Sequence, residues 1–374
     1  MRRGHRWAIV VAGVLILATL PWAVSKLPAA GSGATATDLL GRVQRSSSVS
    51  YSGYAESVGS VALPVTDQFN AITNLLGGRT QMRVWWSSSA EWRVDTVSLT
   101  GETDLHHSGG QTWTWNYEAN RATLDDSRYP QDVRLPRSDD LIPPNLARRL
   151  LSQATPDEVQ RLPSARVAGH DAAGLRLRPR EPESTIDRVD VWALASGLPV
   201  RVAVYGKGSG TAVLSTSFLQ LNTSPPRSSE IDFTPPLSAR VEDSNGLDLL
   251  GFIDLLGNAQ PPATLAGLTR NAATPARNAA TPGLGAVGVY GRGVTLLIAI
   301  PLPARIAYPL QEQLEKAAGA ARSAGGVAIG VGVLNLLLGQ PEPDAGAWLV
   351  TGTVTADTLQ RAIAALPPTD GFRR

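Results

Sequence analysis

Between Gln81 and Leu124 the sequence reads QMRVWWSSSAEWRVDTVSLTGETDLHHSGGQTWTWNYEANRATL, placing Trp85, Trp86, Trp92, Trp113 and Trp115 in one stretch. Apolar and polar residues alternate at period two between Ser-rich, Thr-Gly and Gly-Gly breaks, the pattern of an antiparallel meander with one apolar face. In its last strand Trp113, Trp115 and Tyr117 share one side, and Thr112, Thr114 and Asn116 the other. Rings of this size need a cover. A helix or second sheet of the same chain supplies one, and an apolar ligand supplies the other.

At 374 residues the chain has room for two domains. Its charged fraction of 18% is below the usual quarter, so disorder is confined to local segments. A formal charge of +2 sets up no field for nucleic acid, which is not expected as a partner. The absence of cysteine removes disulfides, thiolate metal sites and cysteine nucleophiles together.

Arg2, Arg3, His5 and Arg6 precede an apolar run from Trp7 to Val24, and Lys26 and a small-residue stretch from Ala29 to Ala36 follow. The run is longer than the roughly 7–15 residues of a signal-peptide core and close to the roughly 20 of a spanning helix. We read residues 1–28 as an uncleaved signal anchor, with signal-peptide cleavage near Ala29 or Ala30 as the alternative. Either way the basic flank holds the N-terminus in the cytoplasm and exports the rest. The expected location is the cell membrane, single-pass with an extracytoplasmic domain. After cleavage it is the periplasm or the exterior.

Thr37 to Gln44 predicts an amphipathic helix, Val49 to Val58 a first strand, and Val65 to Leu76 a short helix or long loop. Pro143-Pro144 opens a helix through Leu151, and Thr155-Pro156-Asp157-Glu158 opens another. Strands return at Ala165–Val167, Ala172–Leu177, Ile186–Trp192, Pro199–Tyr205 and Thr211–Leu221, and a last short one spans Ile231 to Pro236. Residues 29–241 thus form one domain. Residues 242–283 read as a Pro/Ala-rich linker with the tandem copy RNAATPARNAATP and one helical segment, Leu247 to Leu256. Residues 284–368 carry a ββαββα order, an α+β layer with its helices on one face.

Catalytic patterns are scarce. His106 and His107 are neighbours on a strand, so their side chains diverge and do not chelate one ion together. Gly283, Gly285 and Gly288 match G-x-G-x-x-G, but a linker precedes them and a strand follows, the reverse of a dinucleotide site. Asp125-Asp126 and Asp139-Asp140 sit in polar loops and read as solvated turns. The expectation is a protein that is not an enzyme and uses no cofactor or metal.

Trp92-Arg93-Val94-Asp95, Ser98, Gly101-Glu102 and Asp104, followed by Trp113, Trp115 and Tyr117 ahead of a helical section, form a recognisable series. So do Val189-Asp190-Val191-Trp192, Gly197-Leu198-Pro199-Val200-Arg201 and Phe233-Thr234-Pro235-Pro236. From Thr37 to Val241 the chain resembles the lipoprotein-carrier superfamily: the LolA/LolB sorting proteins, the LppX-type lipid binders and the RseB/MucB sigma-factor regulators. The resemblance implies an α+β fold: a strongly curved antiparallel half-barrel sheet with a helical lid, whose concave apolar face receives acyl chains or a partner's apolar segment. In that picture Met82, Val84, Trp86, Trp92, Val94, Trp113, Trp115 and Tyr117 line one cavity. The membrane segment, the linker and the added C-terminal module depart from soluble carriers. They imply a sensing or regulatory role at the outer face of the membrane, with lipid or lipoprotein as ligand and a membrane anti-sigma factor as partner. The alternative is an envelope scaffold whose aromatic face is only core.

Overall fold

The structure is a computed structural model that describes residues 29, 31–60, 75–98, 101–125, 136–243, 260–271, 286–323, 325–342 and 345–368. The apolar run from Trp7 to Val24, the helical segment Leu247 to Leu256 and most of Val65 to Leu76 lie outside them. Among the described residues no helix is long and apolar enough to cross a membrane.

Period-two alternation folds as read. Twelve strands, β1 (Tyr51–Gly59), β2 (Arg79–Ser88), β3 (Glu91–Ser98), β4 (Gly101–Ser108), β5 (Gln111–Asn116), β6 (Arg121–Asp125), β7 (Val159–Val167), β8 (His170–Leu177), β9 (Ile186–Ala193), β10 (Pro199–Gly206), β11 (Ala212–Asn222) and β12 (Arg240–Asp243), form one open sheet. Its order is β12-β6-β5-β4-β3-β2-β1-β11-β10-β9-β8-β7, antiparallel except where β12 joins β6. One face is largely apolar over β1–β3 and β8–β11 and turns polar across β4 and β5, where His107, Thr112 and Thr114 lie on it. It is covered by α1 (Ala36–Gln44), which buries Leu39, Leu40 and Val43, and by α2 (Pro143–Leu151), which buries Leu146, Ala147 and Leu151.

The helix ends follow local chemistry. Thr35 caps α1, accepting from the Asp38 N–H at 3.1 Å while Asp38 accepts from the Thr35 N–H at 3.2 Å, a reciprocal capping box. Prolines at the first turn start α2, where their missing N–H costs nothing. Thr155-Pro156 starts only a three-residue 3-10 turn, because β7 begins at Val159. Asp139, expected in a solvated turn, is buried in another such turn with Arg137 Nε at 3.0 Å. The segment expected as a last strand at Ile231 instead forms a short helix, α3 (Ser228–Ile231), and the chain crosses the sheet before pairing as β12.

Residues 260–271, inside the expected linker, form a small hairpin of β13 (Thr264–Leu265) and β14 (Leu268–Thr269). Leu265 and Leu268 pack into the C-terminal core, so the linker reading does not hold for this part. The C-terminal sheet contains β15 (Gly288–Arg292), β16 (Thr295–Leu302), β17 (Ala321–Ser323), β18 (Gly326–Val331), β19 (Leu334–Leu338) and β20 (Ala347–Gly352) in the order β15-β16-β20-β19-β18-β17. Val327 to Leu337, one strand in the expected ββαββα order, is a hairpin that turns at Gly332, whose φ of 63° suits glycine. The order is therefore ββαββββα. Its helices lie on opposite faces: α4 (Ala304–Lys316) packs Ala307 and Leu314 against Val327, Ile329 and Leu349, and α5 (Ala356–Ala365) packs Leu359 and Ala362 against Leu337 and Val350.

The two sheets meet along a seam. Thr185 N–H donates to the Thr353 carbonyl at 2.9 Å and Thr355 N–H to the Glu183 carbonyl at 2.8 Å. Arg292 donates to both oxygens of buried Glu158, at 2.6 and 3.1 Å, and reaches Glu181 at 2.8 Å. Burial alone would raise Glu158, but the Arg292 and Thr155 hydrogen bonds outweigh it and hold the carboxyl below its ordinary range. Replacing Arg292 by Met leaves Glu158 buried without its cation. The expected loss is about 2 kcal/mol. Hydrogen exchange at the Thr185 and Thr355 amides checks it, since unchanged protection there would show that the pair does not hold the seam.

Candidate functional site: the two faces of the aromatic meander

Cross-strand register decides which rings meet. Met82, Val84 and Trp86 stand opposite Thr96, Val94 and Trp92, and Trp92 and Val94 stand opposite His107 and Leu105. His107 and Leu105 in turn face Thr112 and Thr114 on β5. Trp113 and Trp115 therefore belong to the other face, beside His106 and Asp104. Tyr117 lies in the turn after β5 and is 69% exposed. Of the eight residues expected in one cavity, Met82, Val84, Trp86, Trp92 and Val94 come together, and Trp113, Trp115 and Tyr117 do not join them.

On the helix-covered face the rings form a column. Phe218 meets Tyr51 edge-on at 5.5 Å, Tyr51 stacks on Trp86 at 6.1 Å, Trp86 on Trp92 at 5.8 Å, and Trp92 on His107 at 5.3 Å. Met82, Val84 and Val94 are fully buried beside it, and Leu141 and Ile142, just ahead of α2, complete the wall. Trp86 Nε1 donates to the Ser47 carbonyl at 3.2 Å, so the indole's polar atom is satisfied. Five polar groups on this face are not satisfied: Arg148 Nη1 and the hydroxyls of Tyr51, Ser57, Thr96 and Thr216 are buried without a hydrogen-bond partner. Arg148 sits with its guanidinium carbon 5.5 Å from the Trp86 ring centre. Burial lowers its pKa, and burial pushes the Tyr51 hydroxyl far above its usual range.

The opposite face carries charge under a strap. Asp95 and Asp104 are direct cross-strand partners, both buried, and Arg93 donates to the two oxygens of Asp95 at 2.6 and 2.7 Å and to Asp104 at 3.4 Å. Two carboxylates thus share one guanidinium, and Asp104 Oδ1 has no partner. Burial, then the Asp95 charge, raises Asp104 to about 7. His106 Nδ1–H donates to the Ile231 carbonyl at 2.8 Å, and burial lowers its pKa to about 4. Phe233 stacks on His106 at 4.5 Å and lies 6.0 Å from both Trp113 and Trp115. The ligating atoms of Asp95, Asp104 and His106 lie within 4.8 Å of one another. Arg93 is nevertheless the cation held there, and a metal ion would have to displace it. The cluster is an ion-pair network. His106 and His107 diverge as neighbours on a strand must, one to each face.

The sheet and its ringed face define a class: a large open antiparallel sheet whose apolar face is closed by two short helices. No protein-family model matches the chain, and no curated protein does. Solved structures are similar to it. The MucA/MucB complex of Pseudomonas aeruginosa has a chain 17% identical, aligned over 89% of this chain and 98% of its own, with a TM-score of 0.46. A LolA superfamily protein from Nitrosomonas europaea is 10% identical over 54% of this chain and 99% of its own, TM-score 0.25. A lipoprotein-sorting protein domain from Vibrio parahaemolyticus is 10% identical over 53% and 96%, TM-score 0.20. These are proteins of the kind that the Trp92–Asp104 and Gly197–Arg201 motifs resemble.

Proposed function

We propose that this chain is an extracytoplasmic binding protein, held at the membrane by its N-terminal segment, that takes lipid or lipoprotein acyl chains against the helix-covered face and serves a sensing or regulatory role. One observation supports this above the others. The column Tyr51–Trp86–Trp92 is an apolar wall of large rings packed with Leu141 and Ile142 and bordered by Arg148 of α2, and the wall retains unsatisfied polar atoms where a finished core would pair them. An acyl chain burying a few hundred Å² at about 25 cal/mol per Å² gains several kcal/mol before ordering costs, enough for micromolar binding. A membrane anti-sigma factor is the partner that the sequence resemblance implies, and MucB has been solved in complex with MucA. The reading assigns no catalytic role, because the only convergent acid and histidine side chains among the described residues are tied up by Arg93 and the strap.

Lipid extraction and mass spectrometry of the purified protein is the test. Copurifying acyl lipid that is displaced when Trp92 is replaced by Glu is the expected result. Lipid-free protein from a membrane-rich host would leave the rings as core and favour the scaffold alternative.

A further inference from the structure

Within the ringed face one charge has no counter-charge. Arg148 projects from α2 over the Trp86 ring, its Nη2 donates to the Asn145 side chain, and its buried Nη1 donates to nothing. No carboxylate among the described residues pairs with it, whereas Arg93, Arg137, Arg176 and Arg292 each hold one. Beside it the Tyr51 hydroxyl, on a fully buried side chain, is also unpartnered and feels the Arg148 charge. A guanidinium edge and a phenol, two donors with no acceptor beside a stack of rings, are costly to bury unless something accepts from them. The acceptor they fit carries one negative charge, has two oxygens close together and continues into an apolar chain.

We propose that Arg148 and Tyr51 form the headgroup site for a long-chain carboxylate, with its hydrocarbon tail along Trp86 and Trp92. This rests on the lipid-binding reading above and names the ligand class for it. Arg148 supplies one N–H donor and the whole counter-charge; Tyr51 supplies the second donor. α2 borders the site, since it carries Arg148 over Trp86 and directly follows Leu141 and Ile142, which pack with the rings. A doubly charged phosphate monoester is disfavoured because, among the described residues, Arg148 is the one cation against the ring column.

The test uses membrane vesicles carrying the full chain and three photoactivatable probes of equal tail length: a fatty acid, its monoacylglycerol and a lysophosphatidylglycerol. The fatty acid is expected to label peptides from β2, β3 and α2 most strongly. Arg148→Met should cut that labelling roughly tenfold, the value of one lost charge-assisted contact, and leave the monoacylglycerol unchanged. Tyr51→Phe removes only a hydroxyl that bonds nothing in the unliganded fold, so it tests the same site where Arg148→Met fails to fold, with a smaller loss in the same direction. Equal labelling by fatty acid and monoacylglycerol, or a preference that survives both substitutions, overturns the headgroup site but keeps the lipid reading. Stronger labelling by lysophosphatidylglycerol overturns the carboxylate assignment. No labelling by any probe overturns both.

Discussion

Between pH 4 and 7 the variants Asp104→Asn and His106→Gln are expected to show stability slopes of opposite sign. Asp104 has its folded pKa raised by burial, by the Asp95 charge and by Glu102, from an ordinary 3.8 to about 7. Its contribution is therefore complete below 3.8 and lost as pH rises through 7, because the folded state holds the extra proton across that window. His106 is the reverse case. Burial and the Arg93 charge lower it from 6.5 to about 4, so its contribution is complete above 6.5 and lost as pH falls through 4. Each swing is on the order of a few kcal/mol, and in the native cluster the two oppose one another over nearly the same range. Removing Asp104 exposes the histidine, and the unfolding free energy should rise from pH 4 to 6.5. Removing His106 exposes the carboxyl, and it should fall from pH 4 to 7. Glutamine keeps a donor for the Ile231 carbonyl, so the strap contact is retained. Urea unfolding followed by tryptophan fluorescence across the range reads both slopes, and two variants that drift in the same direction would show that the Asp95–Asp104 pair does not retain a proton.

Much of this arrangement was legible before any coordinates. Pro143-Pro144 marks α2 to the residue, and the alternation from Gln81 marks the meander as far as β5, the strand read as its last, with β6 following it unread. The error lay in phase. A two-residue turn pairs an even-numbered position with an odd one, and the β3–β4 and β4–β5 connections each do so, as Ser98 with Gly101 and Ser108 with Gln111. After two such turns the even positions of β5 share a face with Trp92, which sends Trp113 and Trp115 to the far side. Gly109-Gly110 announced the second turn, so the count could have been made. The strap could not be read locally. Phe233-Thr234-Pro235-Pro236 carries no sign that it will lie over Trp113, Trp115 and His106, because that contact spans more than a hundred residues. The same holds for Arg148 over Trp86, where one turn of a helix meets a strand more than fifty positions earlier.

Phase also predicts how differently two tryptophans of one meander tolerate truncation. Trp86 is 4% exposed, stacked between Tyr51 and Trp92, roofed by Arg148 and bonded through Nε1 to Ser47. Trp86→Ala should cost about 3–5 kcal/mol, since it removes a large buried ring, breaks two stacks and leaves a cavity that neighbouring strands are too rigid to close. Trp113 is half-buried and has one ring neighbour, Phe233, in a tilted contact at 6.0 Å. Trp113→Ala should cost about 1 kcal/mol, chiefly the apolar area shared with the strap. Chemical denaturation of the two variants gives the comparison directly. Equal losses would mean that the strap buries its face as firmly as Leu141, Ile142 and Arg148 bury the column. A small loss for Trp86 would mean that the column is already loosely held in the unliganded protein. In that event its rings are free to part for an acyl chain, and the cost of opening the lid would be correspondingly low.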